Sequence, residues 1–249
     1  MKTILITGCS SGFGLEIARY FLARDWNVVA TMRTPREDLF APSERLRVLP
    51  LDVTDPESIR QAVEEAGPLD ALVNNAGFGA ASPAELIPMS TVRDIFETNT
   101  FGTIAVTQAV LPQFREGKAG VVVNVTSSVT YKPLPLISVY RAAKSAVNAF
   151  TESMAQELAP FGVRAHLVLP GRSTETAFRD NAGAFMHGLD HEAYEAVVKE
   201  TFARVQDTSS PLTYSKDVAE AVWQAVTDPS APMRIPAGAD AKDWAAENA

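Results

Sequence analysis

Cysteine occurs once in 249 residues, at Cys9, and histidine three times, at the scattered positions His166, His187 and His191. One thiol makes no disulfide framework, and no paired-cysteine pattern is present to hold zinc, so no metal site is expected. Basic residues are outnumbered, 22 to 30, and form no cluster, which leaves a formal charge of -8. That balance argues against a nucleic-acid or anionic-membrane partner. No segment approaches the roughly 20 apolar residues of a membrane span. The N-terminal apolar run, Thr3 to Thr7, is too short for a secretion signal and leads into a glycine turn. A soluble, cytoplasmic protein with no membrane partner is expected. Internal repeats, low-complexity tracts and linkers are missing as well, so residues 1–249 are expected to form a single domain.

Hydrophobic residues make up 46% of the chain, enough for a sizeable core. They gather in short runs: Thr3-Ile4-Leu5-Ile6, Val28-Val29-Ala30, Leu46-Arg47-Val48-Leu49, Ala71-Leu72-Val73, Val121-Val122-Val123 and Ala165-His166-Leu167-Val168. The runs are short, leucine- and β-branched-rich and show little alternation, as strands covered on both faces do. Helical spacing appears between them, as in Leu15, Ala18, Phe21 and Leu22, or Ala143, Val147, Phe150 and Met154. Strand and helix alternating about six times predicts a doubly wound, Rossmann-type α/β fold: a mostly parallel sheet with helices on both faces. Residues 172–211, between the strand ending at Pro170 and a helix beginning near Ser215, are expected to be an insertion over the site.

The first strand runs into Gly8-Cys9-Ser10-Ser11-Gly12-Phe13-Gly14 and then a helix. Glycines at a strand end let the chain turn sharply and bring main-chain N–H groups to a pyrophosphate, and the helix N-terminus adds positive potential. The spacing is G-x3-G-x-G. The second strand ends Ala30-Thr31-Met32-Arg33, without the acidic residue that accepts ribose hydroxyls in many dinucleotide folds. A guanidinium at Arg33 can pair with a 2'-phosphate, with Ser10 and Ser11 as further donors, so the cofactor expected is NADP(H). Arg36 is a second candidate for the same contact, and Arg33 could also be only a solvated surface charge.

Tyr140 and Lys144 are four residues apart, on one face of a helix. An ammonium beside a phenol favours the phenolate and is expected to lower the tyrosine pKa, which suits proton transfer near neutral pH. Ser127 lies thirteen residues upstream, at the end of a strand, where its hydroxyl faces the ligand crevice and can bond a substrate oxygen. Ser128 competes for that role.

These residues resemble the short, single-domain branch of the short-chain dehydrogenase/reductase family. The resemblance spans almost the whole chain and rests on the Thr7–Gly14 turn, Asp52, Asn74-Asn75-Ala76-Gly77, Asn99, Ser127, Tyr140/Lys144 and Pro170-Gly171. It implies a Tyr/Lys/Ser/Asn tetrad interconverting a carbonyl and an alcohol. Tyr140 would be general acid in reduction and base in oxidation, and Lys144 would hold the nicotinamide ribose. Ser127 would polarise the carbonyl, and Asn99 would hold a water linking Lys144 to solvent. Asp52, with Val53, would meet the adenine. Asn75, Ala76 and Gly77 would line the cofactor channel, and the segment after Pro170-Gly171 would lie over the nicotinamide. Asp52 could instead be a helix cap, Asn99 could cap or kink its helix, and Asn75 could satisfy strand ends. Arg141 stands where the family has a small residue, Ala143 stands where serine is common, and the threonine expected after Pro170-Gly171 comes one place late, at Thr176.

Substrate selection is expected from Phe78, Pro133, Leu134, Leu136, Phe178, Phe185 and Met186, an apolar set suited to a hydrophobic small-molecule ketone, aldehyde or alcohol. NADP in cells is generally kept reduced, which favours carbonyl reduction. A homodimer or homotetramer is expected through the helices bearing Asn99 and Tyr140. Two rivals remain: a non-catalytic NADP(H)-binding sensor on the same fold, and an epimerase or dehydratase on a related, longer scaffold.

Overall fold

Strands β1 (Thr3–Ile6), β2 (Asn27–Met32), β3 (Leu46–Pro50), β4 (Ala71–Asn74), β5 (Gly120–Val125), β6 (Val163–Pro170) and β7 (Arg234–Ala237) form one sheet in the order β3-β2-β1-β4-β5-β6-β7. Every pairing is parallel. The computed structural model describes residues 1–175, 183–207 and 211–248. Among them are helices α1 (Gly12–Leu22), α2 (Pro56–Ala66), α3 (Met89–Phe96), α4 (Thr103–Gly117), α5 (Ser138–Leu158), α6 (Glu195–Gln206), α7 (Ser215–Thr227) and α8 (Ala239–Ala246). None is long and apolar enough to cross a membrane.

The six runs seen in the sequence are the first six strands. Their residues alternate between two buried faces: Ile4 and Ile6 join Val28, Ala30 and Val73 against α1 and α7, while Leu5 joins Val29, Leu72 and Val122 against α2, α4 and α5. Both faces being apolar hides the period of two. On the first face Phe21 of α1 meets Trp26 edge-on, with ring centroids 5.2 Å apart, and packs beside Trp223 of α7. The seventh strand was not expected. Its Arg-Ile-Pro-Ala sequence carries a proline, tolerated because β7 is an edge.

The strand order reverses direction between β1 and β4, and ligands of doubly wound sheets bind in the crevice outside the strand ends at such a point. Helix α5 is set against the sheet by a polar ladder inside the core. Asn74 and Asn124 are register partners on β4 and β5. Asn74 Nδ2 donates to Asn124 Oδ1 (2.8 Å) and to Thr107 Oγ1 of α4 (2.9 Å), and Asn124 Nδ2 donates to Thr151 Oγ1 of α5 (2.8 Å). Both threonine hydroxyls donate one turn back, to Thr103 O and Val147 O. The Asn124→Ala variant leaves Asn74 and Thr151 without these partners inside the core. A loss of about 2–3 kcal/mol in unfolding free energy is expected, measured by urea denaturation; an unchanged midpoint would contradict the ladder's role.

Candidate active site

The turn between β1 and α1 is bound to the end of β4. Thr7 is buried, and its Oγ1 accepts from Asn75 N and Ala76 N, both at 3.0 Å. Asn75 Nδ2 donates back to Thr7 O (3.0 Å) and Gly8 O (3.1 Å). Gly8 has φ +74°, and a Cβ on Gly14 would lie 2.3 Å from Gly8 O, so a side chain at either position would push the turn apart. Helix α1 opens at Gly12. Ser11 precedes it in extended conformation but its side chain caps nothing. The first-turn N–H groups, from Gly12 through Phe13 and Gly14, therefore point out of the helix without intrahelical acceptors, beside exposed Ser10. This is a donor set that fits a pyrophosphate.

Arg33 follows β2 and is exposed. Arg36 is already paired with Asp38 at 2.9 Å, which leaves Arg33 as the better placed cation. Asp52 follows β3. Its Oδ1 accepts from Thr54 N (2.9 Å) and Thr54 Oγ1 (2.7 Å). The Thr54 N–H, with the hydroxyl and the Arg33 charge behind it, holds the Asp52 carboxyl below its ordinary range despite partial desolvation. Asp52 thus closes a turn but does not cap α2; the cap is Asp55, which accepts from Glu57 N. Val53 is buried against Gly102.

Asn99 lies in a six-residue π-helical stretch, Glu97–Gly102, between α3 and α4. The wider turn of this stretch separates α3 from α4. The fully buried amide reaches back to the chain after β4: Asn99 Nδ2 donates to Phe78 O (2.8 Å) and Oδ1 accepts from Phe78 N (2.9 Å). Gly77 lies directly beneath, where a Cβ would stand 2.5 Å from Asn99 Oδ1 and 3.4 Å from Lys144 Nζ. Asn99, Gly77 and Lys144 therefore share one small volume.

Tyr140, Lys144, Val147, Thr151, Met154 and Leu158 form the buried stripe of α5, at helical spacing. The same face that packs the core thus presents the phenol and the ammonium to the strand ends. Lys144 is 6% exposed, and its Nζ donates to Val125 O at 3.0 Å and stands 6.0 Å from the Tyr140 ring centroid. Burial lowers its pKa to about 8. Tyr140 is hydrogen-bonded to the Ser127 hydroxyl, which favours Ser127 over the fully buried Ser128 as its partner. Burial pushes the phenol well above its ordinary range, with the Ser127 bond pulling weakly the other way. The four-residue spacing to Lys144 alone implies a lowered tyrosine pKa. Here the direction is upward, because burial disfavours the phenolate.

At the end of β6, Gly171 N donates to Thr213 Oγ1 (3.0 Å) and Arg172 N to Asp240 Oδ2 (2.6 Å), which ties Pro170-Gly171 to the start of α8. Of the apolar set, Phe78 and Phe185 come together, ring centroids 4.3 Å apart, in a cluster with Ile87, Phe96 and Val139. Pro133 is exposed, Leu134 is half-buried, and neither joins that cluster. The proposed contacts of Phe178 and Thr176 lie outside the described residues. Three residues that matter here have no role of their own in the sequence reading. They are Thr7, which joins the turn to β4, Asn124, which seats α5, and Glu85, which accepts from the Tyr194 hydroxyl at 2.6 Å and holds the start of α6. Thr7 and Asn124 are polar residues at the ends of apolar runs, a signal that was legible.

Residues 2–187 match the family profile of the short chain dehydrogenases. The chain is 36% identical over 238 residues to an uncharacterized oxidoreductase, YusZ, of Bacillus subtilis, with 91% of this chain and 85% of that protein covered. It is 32% identical over 258 residues to a 3-ketodihydrosphingosine reductase of Bacteroides thetaiotaomicron, covering 99% and 94%. Its fold superimposes on a short-chain dehydrogenase from Streptomyces avermitilis with TM-score 0.86 at 33% identity, covering 99% of this chain and 91% of the other. A serine dehydrogenase complexed with NADP+ in its closed form superimposes with TM-score 0.78 at 27% identity, covering 96% and 95%.

The lowered Lys144 pKa has a consequence for the cofactor-free protein. Folding buries a charge below about pH 8 that the unfolded chain keeps solvated up to its ordinary 10.5. Stability therefore rises as pH climbs through that interval, by an amount on the order of 3 kcal/mol. Melting temperature compared between wild type and Lys144→Met from pH 7 to 10 should show the wild type gaining on the variant; parallel curves would contradict it.

Proposed function

This chain belongs to the short-chain dehydrogenase family, and we propose that within it the protein is an NADP(H)-dependent reductase of apolar ketones or aldehydes. The observation that carries the reading is the buried meeting of Tyr140, Ser127 and Lys144 at the crevice edge. When bound, the reduced nicotinamide supplies a hydride to the carbonyl carbon. Tyr140, held neutral by burial, gives its phenolic proton to the carbonyl oxygen, so the substrate leaves as an alcohol. Ser127 donates to that oxygen as charge develops on it. Lys144, charged below about pH 8, stands near enough to steady the phenolate left behind, and bulk proton returns to it past Asn99.

The glycine turn with the α1 N-terminus would hold the pyrophosphate, Asp52 and Val53 the adenine, and Arg33 a 2'-phosphate. Asn75, Ala76 and Gly77 would line the channel, with Pro170 and Gly171 at its far end. The NADP+ bound by the serine dehydrogenase neighbour supports the same choice of cofactor. The Phe78–Phe185 cluster supports an apolar substrate, and the name of the Bacteroides relative, a reductase of a keto compound, supports carbonyl reduction. Residues 183–207, the longer described part of the 172–211 insertion, would cover the site, since Phe185 packs on Phe78 and Tyr194 reaches Glu85. The outer face of α5 carries the exposed small residues Ala142, Ala149 and Ser153, and Phe101 nearby in sequence to Asn99 is 54% exposed. These support a homodimer or homotetramer through this face; light scattering on a size-exclusion column is expected to give a multiple of the chain mass, and a monomer would refute it.

The decisive assay follows NADPH and NADH oxidation with a panel of apolar ketones and aldehydes. Tyr140→Phe should lower kcat by roughly a hundred- to ten-thousandfold. Arg33→Ala should erode the preference for NADPH over NADH, about tenfold for loss of one charge-assisted contact. NADPH binding without turnover of any carbonyl would favour the sensor instead, and a preference for NADH would overturn the role given to Arg33.

A further inference from the structure

Arg141 stands next to Tyr140 on α5, close to the helix N-terminus. A cation there meets the positive end of the helix dipole, and the first turn of α5 holds no acidic residue to offset it. The guanidinium turns instead to the chain after β5. Its Nε donates to Val129 O at 2.8 Å and a terminal nitrogen donates to Thr130 O at 3.3 Å. Those carbonyls belong to the single 3-10 turn Ser128–Thr130, which Ser127 opens. Ser127 grips the same turn from the other side. Its Oγ accepts from Val129 N (3.3 Å), and its carbonyl accepts from Thr130 Oγ1 (2.9 Å) and Thr130 N (3.2 Å). Val129 is thus held through its N–H by Ser127 and through its C=O by Arg141.

We propose that Arg141 is a positioning residue, which clamps the Ser127 turn to α5 and so fixes the Ser127 hydroxyl against the Tyr140 phenol. The proposal rests on the reading of Ser127 and Tyr140 as the groups that meet the substrate oxygen. With Val129 N–H occupying one lone pair of Ser127 Oγ, the hydroxyl proton is directed away from the turn, towards the crevice. Arg141 reaches the same turn from the residue adjoining Tyr140, so the two hydroxyls move as one rigid piece. Displacing one of them by about 1 Å costs up to roughly a hundredfold in rate.

The test compares wild type, Arg141→Ala, Arg141→Lys and Tyr140→Phe in two measurements. Steady-state reduction of a carbonyl by NADPH gives kcat and the KM for NADPH. Amide hydrogen exchange reports on residues 127–131, independently of activity. For Arg141→Ala the expected result is a kcat lower by roughly ten- to a hundredfold with KM for NADPH within about twofold. Exchange at 127–131 should quicken while that of β1 and the glycine turn stays put. Free guanidinium should restore part of the lost kcat, and Arg141→Lys, which reaches one carbonyl at a time, should fall between. If Arg141→Ala does not fold, the Lys variant carries the same comparison. A kcat within about twofold of wild type, or unchanged exchange at 127–131, would overturn the proposal. A Tyr140→Phe variant as active as wild type would instead refute the reading of the site, while the exchange result would still decide the clamp.

Discussion

The seat of α5 on the sheet governs everything at the crevice edge. A helix lying on an apolar surface can slide with little change in buried area, because hydrophobic contact has no direction. Hydrogen bonds do. Thr151 on α5 is tied to Asn124 on β5, and Asn124 to Asn74 on β4, all inside the core. The ladder fixes how far Tyr140 and Lys144 stand beyond the strand ends, and Lys144 completes it by donating to Val125 O. The same strands end in the chain that carries Asn75 and Ser127, so sheet, turn and helix are positioned by one set of polar contacts.

Burial then decides the chemistry. The phenol and the ammonium are both taken out of water, and desolvation disfavours the charged form of each: it raises the tyrosine and lowers the lysine. The result is an acid that keeps its proton and a neighbouring base that is charged only in neutral or acidic solution. On the proposed reading, proton transfer out of Tyr140 would become favourable only when negative charge appears on an oxygen within reach, and the site would stay quiet until a substrate is reacting in it. The turn at Thr7, crowded by Gly8 and Gly14, supplies the complementary half, a rigid rim of main-chain donors on the other side of the switch point.

Much of this was legible in the sequence. Short apolar runs separated by helical stretches gave six of the seven strands in place. The seventh was hidden by Pro236, which signals a break in an interior strand but is harmless at an edge. Tyr140, Lys144 and Ser127 could be found from spacing, since helical periodicity and strand ends fix their geometry. The direction of the tyrosine pKa could not, because it depends on how deeply α5 is buried. Asn99 shows a similar limit: its place in a π-helical stretch, with its amide bonded to the Phe78 backbone, depends on how α3 and α4 meet the chain after β4. For the substrate pocket, Phe78 and Phe185 meet only because residues 183–194 fold back onto the chain after β4, whereas Pro133 and Leu134, though close to Tyr140 in sequence, stay outside the aromatic cluster.

On the proposed reading, hydride arrives at a carbonyl carbon while Tyr140 delivers the proton. NADPH deuterated at the transferring position of the nicotinamide, incubated with an apolar ketone, separates the two transfers when the product alcohol is analysed by mass spectrometry. The wild-type protein should place one deuterium on the carbinol carbon, and Tyr140→Phe should give only a trace of labelled alcohol. Bound NADPH with no labelled alcohol from any carbonyl, or labelled alcohol formed equally well without the phenol, would contradict that reading.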